Sequence, residues 1–130
     1  MKTTELMIRD WVISNKRGKN EIVKVVSIEG GINCCWLDAD CFSGLVACED
    51  IKPIPLTSEI LEKNGFWVLE KVDNGAEEHV AYATDGLIFH YNRDNDYHFP
   101  NTPISWKYVH ELQHVLRLCE LDELADNFKI

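Results

Sequence analysis

The chain has 130 residues, 45% of them hydrophobic and 27% charged, which predicts a globular protein of one ordinary domain or two small lobes and excludes a disordered tail. Its formal net charge is −9, divided as −2 over residues 1–65 and −7 over 66–130. Such an acidic chain repels phosphates on average, so direct nucleic-acid binding is not expected.

Residues 6–14, LMIRDWVIS, mix apolar and polar side chains in a strand-like way. The turn residues 15–20 follow, then EIVKVVSI over 21–28, a β-branched run that predicts a second strand. Gly30-Gly31 predicts another turn, 32–37 a third strand and 45–48 a fourth. Short strands at this spacing predict a small curled sheet. Pro53 and Pro55 favour an extended connector out of it. Thr57 or Ser58 can cap a short helix that Gly65 ends.

Strands are predicted at 66–72, 78–84 and 87–91, joined by Asn74-Gly75 and Asp85-Gly86, pairs that tolerate positive φ in hairpin turns. A shorter strand is expected near 97–99, and Pro100 and Pro103 end the meander. A final helix is expected over about 105–119, with Ser105 as its cap. Tyr108, Leu112, Val115, Leu116 and Cys119 fall on one face of it, and that stripe is expected to cover the meander. The expected fold is α+β: a small SH3-like β-barrel or curled sheet followed by a β-meander with one C-terminal helix. The expected divisions are a β-rich lobe over 1–56, a joining helix over 57–65, and a meander-plus-helix lobe over 66–130, all in contact.

The five cysteines are Cys34, Cys35, Cys41, Cys48 and Cys119, an odd number with no C-x-x-C spacing. Reduced thiols and a cytoplasmic setting are the simpler reading. The first residues form no apolar leader, and no run approaches the ~18 apolar residues of a membrane span, so no membrane association is expected.

His110-Glu111-Leu112-Gln113-His114 spells H-E-x-x-H. On a helix this spacing sets two imidazoles one turn apart, able to share a zinc ion, with the glutamate as general base. Lys107 and Arg117 flank the same face and would repel a dication, and a third ligand would have to come from Glu123, Asp126, His90 or His98. The plainer reading is a solvated helix face with two surface histidines, and no catalytic or metal-binding residue is assigned.

The phrases MKTTELMIRDWV, IKPIPLTSEILEKNGF and YVHELQHVL together resemble a family of small uncharacterised proteins from Bacteroidetes genomes, phages and mobile elements. The segment 53–66 is the most specific part. In that family the position of Glu111 is often Gln and that of His114 often Asn, which implies that the protease spelling is incidental. The resemblance implies a phage-encoded counter-defence or host-modulating setting and carries no assigned activity.

The expected function is non-catalytic binding, sequestering a small anionic signal or occluding a host protein, with no cofactor and with homo-oligomerisation. The candidate ligand-binding residues are Lys16 and Arg17 in the basic turn, Arg93, and Trp106 as an exposed stacking residue. Two alternatives stay open: a zinc metallopeptidase through the HELQH helix, and an acidic nucleic-acid mimic built on the carboxylates of 66–130.

Overall fold

In the computed structural model the described residues are 1, 5–29, 34–39, 42–75, 77–94 and 96–130. The class is α+β, with two antiparallel sheets. The chain forms two compact units, Met1–Pro55 with Tyr108–Asp126, and Leu56–Lys107 with Asn127–Ile130.

The first unit carries β1 (Trp11–Ser14), β2 (Glu21–Glu29), β3 (Cys34–Ala39), β4 (Phe42–Ala47) and β5 (Ile51–Lys52), in the order β4-β3-β2-β1-β5. Val12 pairs with Val23 across β1 and β2, so both project from one face. They join Leu6, Val25, Val46 and Ile51 in a buried aliphatic core. The strand expected over 6–14 is shorter than that. Asp10 N–H bonds to the Met7 carbonyl at 3.1 Å, and Arg9 adopts φ 74°, so the chain turns before it extends. A left-handed conformation is uncommon outside glycine, and something must hold it in place.

The second unit begins with α1 (Ser58–Lys63), where Thr57 Oγ1 accepts the Ile60 amide at 3.3 Å as an N-cap. Gly65, at φ 81°, ends it. A meander follows: β6 (Trp67–Asp73), β7 (Glu78–Thr84), β8 (Leu87–Asn92), β9 (Asp96–His98) and β10 (Ser105–Trp106), in the order β10-β9-β8-β7-β6. Gly75 and Gly86 take φ 84° and 89° in the two hairpin turns, as their Asn-Gly and Asp-Gly pairs predict. Phe66, Tyr82, Phe89, Tyr97 and Trp106 are buried together, with ring centroids 5.2 Å apart for Phe89–Trp106 and 5.4 Å for Phe66–Phe89. Tilted and edge-on aromatic pairs at such spacings add to what area burial alone contributes.

The helix expected over 105–119 is instead β10 followed by α2 (Val109–Leu118), because Ser105 and Trp106 pair with His98 and Tyr97 of β9. Tyr108 is its N-cap, and its amide bonds to Glu111 Oε1 at 3.2 Å. A short α3 (Asp122–Asp126) follows. By compactness α2 and α3 group with the first sheet, whereas the expected division placed them in a lobe over 66–130. The physical reason is the hydrogen bonding of the α2 side chains to residues 8–11, described below. Leu112, Val115 and Leu116 are buried as the apolar stripe predicts, and Val109 is buried beside them, but Tyr108 is only partly buried and Cys119 is exposed, beyond the last turn. Among the described residues no helix is long and apolar enough to cross a membrane.

Candidate functional site

The H-E-x-x-H segment occupies the first turns of α2, and each of its polar side chains has a structural partner or a buried position. Glu111 accepts the Tyr108 amide and so closes the helix N-terminus. His114 Nε2 lies 2.7 Å from Asp10 Oδ2. Gln113 is fully buried: its Oε1 accepts the Trp11 amide at 2.9 Å, and its Nε2 donates to the carbonyls of Arg9 and Ala125, each at 3.0 Å. Arg117, one turn on, donates from Nη1 to Asp10 Oδ1 at 2.9 Å and from Nη2 to the Ile8 carbonyl at 3.2 Å. The Asp10 carboxylate, 0% exposed, also accepts the Met7 amide at 2.7 Å. This network holds the left-handed Arg9 turn. It is also why a charged group can be buried here, since its lone pairs are met by a guanidinium, an imidazole and an amide.

The two histidines are therefore not the solvated pair that the helical wheel suggests. His110 is only 5% exposed. Its Nδ1 is buried without a hydrogen-bond partner among the described residues, and its ring stacks on Tyr108 with centroids 6.0 Å apart. Burial pushes the His110 pKa below 6.5, against the opposing pull of the Asp10 and Glu111 carboxylates. A cavity of about 340 Å³ is lined by Glu5, Tyr108, His110, Glu111 and His114 among others. Among the described residues, however, no three His, Cys, Asp or Glu side chains are grouped so as to hold a metal ion. The Nε2 that His114 would offer a metal faces Asp10.

The four candidate ligand residues divide between the units. In the first, Lys16 donates from Nζ to the Leu45 carbonyl, and Arg17 Nε lies 3.6 Å from Glu21 Oε1. In the second, Arg93 Nε lies 3.6 Å from Glu78 Oε2. The hollow beside Arg93 is lined by Glu77, Glu78 and Asp94, a poor setting for an anion. The exposed position expected for Trp106 is corrected: it is 2% exposed, wedged between Phe89 and Phe99. Cys41 lies outside the described residues, as do the side chains of Cys34, Cys35 and Cys48, whereas the Cys119 thiol is free.

Two features had no place among the expected site residues. The first is Asp10, whose side-chain partners His114 and Arg117 are more than a hundred residues away in sequence, so that no local spacing marks it. The second is β6. Among the described residues it pairs only with β7, at the edge of its sheet, and all seven of its residues are exposed. Here a signal did exist. Trp67-Val68-Leu69 is apolar at consecutive positions, and a strand with one covered face alternates instead. A bulge between Val68 and Glu70 disturbs the β6–β7 register. Trp67, Leu69, Ala83, Leu87 and Ile88 line an open groove of about 430 Å³.

No protein-family model, no curated protein and no solved structure matches the chain.

Proposed function

We propose that this chain is a non-catalytic binding protein that docks a protein partner on the groove beside β6. One observation carries the reading: Trp67, Leu69 and Ile88 are 47%, 53% and 54% exposed at the free edge of a sheet. Clustered apolar side chains of this size on a surface mark an interaction site. An edge strand adds unpaired backbone groups that an extended segment can meet. The net charge of −9 favours a basic partner, so the occupant is an apolar side chain flanked by lysine or arginine. The resemblance to small proteins of Bacteroidetes phages supports a host protein in that role. A small anionic ligand has less support, because Lys16, Arg17 and Arg93 are each engaged within the chain and Trp106 is in the core.

The test is binding to an array of immobilised peptides that pair one aromatic residue with flanking lysines. Wild type is expected to retain a subset of them. Trp67→Ser, checked for an unchanged melting temperature, is expected to lose about thirtyfold in affinity, as truncation of an anchoring tryptophan does. Equal binding by the variant, or no binding by wild type, would overturn the reading.

A further inference from the structure

We infer that the other end of β6 is a self-pairing edge, where a second copy of this chain adds its own β6 antiparallel to form one continuous ten-stranded sheet. The inference rests on the reading of β6 as a binding edge and names the occupant of its C-terminal half.

The bulge between Val68 and Glu70 breaks the regular run, so the segment able to continue the ladder is Glu70–Asp73. Two copies joined edge to edge are related by a two-fold axis normal to the sheet, and directly opposed residues then share a face. That leaves a small choice of registers, and charge decides among them. An axis through Glu70 sets two glutamates against each other, and an axis through Lys71 sets two lysines against each other. Like charges directly opposite are destabilising. An axis through Val72 opposes the two Val72 side chains and sets Lys71 of each copy opposite Asp73 of the other, twice by symmetry. Val72 is 43% exposed, and pairing with itself would cover it.

The register is thus self-complementary in charge and apolar at its centre. A chain of net charge −9 repels its own copy over distance. At physiological ionic strength charges beyond about 8 Å are largely screened, whereas the Lys71–Asp73 contacts act at short range. The paired segment is short, so the dimer is expected to be concentration-dependent rather than obligate. The apolar end of β6 at Trp67 stays free in each copy, which makes the dimer a bivalent binder.

The experiment is sedimentation velocity over a concentration series on wild type, Lys71→Asp, Asp73→Lys and the double charge exchange. Circular dichroism and melting temperature confirm that each is folded. Wild type is expected to shift reversibly from monomer to dimer. Each single reversal opposes like charges at two symmetric positions and is expected to weaken the dimer about tenfold. The double exchange restores opposite charges in the same register and is expected to return the affinity to within about threefold of wild type. A wild type that stays monomeric, single variants that dimerise unchanged, or a double exchange that fails to rescue would each overturn the inference. Peptide binding that still depends on Trp67 in a monomeric protein would remove the self-pairing alone and leave the groove reading intact.

Discussion

Arg117 Nη1 lies 2.9 Å from Oδ1 of Asp10, a carboxylate with no exposed surface, and so the residue immediately before β1 and the last turn of α2 are held as one piece. Breaking a buried pair from one side strands the other charge, and the Arg117 side chain is only 13% exposed. Asp10→Ala is therefore expected to destabilise the protein by about 3–5 kcal/mol. Asp10→Asn keeps one acceptor oxygen and should lose less. Urea unfolding of the three proteins checks the ranking, and a loss under about 1 kcal/mol for Asp10→Ala would mean the network does not hold the turn.

Zinc is expected to leave the melting temperature unchanged. The ion would have to take His114 from Asp10, to which its Nε2 is bonded at 2.7 Å, and would find no group of three ligands among the described residues. A site saturated a hundredfold above its dissociation constant would add about 2.7 kcal/mol of stability, which thermal unfolding would show clearly. A zinc-dependent rise in melting temperature that His110→Ala abolishes would revive the metallopeptidase reading.

Local chemistry made most of this fold legible. The Asn74-Gly75 and Asp85-Gly86 turns, the Thr57 cap and the β-branched run 21–28 each encode their conformation within a few residues. What was illegible depended on distance. Ser105 and Trp106 form a strand only because Tyr97 and His98 are there to pair with them, and a cap-like serine beside an apolar periodicity reads as a helix start. The histidine spacing of α2 suggested chemistry because Asp10, Arg9 and Trp11, which engage Gln113, His114 and Arg117, lie at the far end of the chain. The groove at Trp67 was visible as three consecutive apolar residues, but exposure and burial on both faces leave the same sequence pattern.

Acid is expected to destabilise the protein from pH 6.5 downward. Burial lowers the pKa of His110. Burial, then the neighbouring His79 and His98, lower that of His90, whose Nδ1 lies 2.8 Å from His79 Nε2. Each is held neutral in the folded chain, while the unfolded chain takes up a proton near 6.5. Below 6.5 the unfolded state therefore binds more protons, and stability falls with pH. It is fully present above 6.5, declines as the pH passes toward each folded value, and is lost below it. His110 is the more buried of the two, so His110→Phe should flatten the profile more than His90→Phe. Urea midpoints measured at intervals between about pH 7.5 and 5 test this, and parallel profiles for wild type and His110→Phe would refute it.

Trp106 separates a core role from a ligand-stacking one. Its ring is edge-on to Phe89 at 5.2 Å and to Phe99 at 5.1 Å, and its Nε1 is buried with no hydrogen-bond partner among the described residues. An aromatic in such a place contributes through its contacts, so Trp106→Ala should cost about 3–5 kcal/mol, including the cavity it leaves. Trp106→Phe keeps most of the ring contacts and removes a donor that the fold leaves unpaired, a partial compensation for the lost volume. The phenylalanine variant should therefore recover well over half of the alanine loss. A surface stacking residue behaves differently, because truncating it changes binding and leaves the unfolding midpoint nearly where it was. Chemical denaturation of the two variants distinguishes these roles, and near-native stability of Trp106→Ala would return Trp106 to the surface.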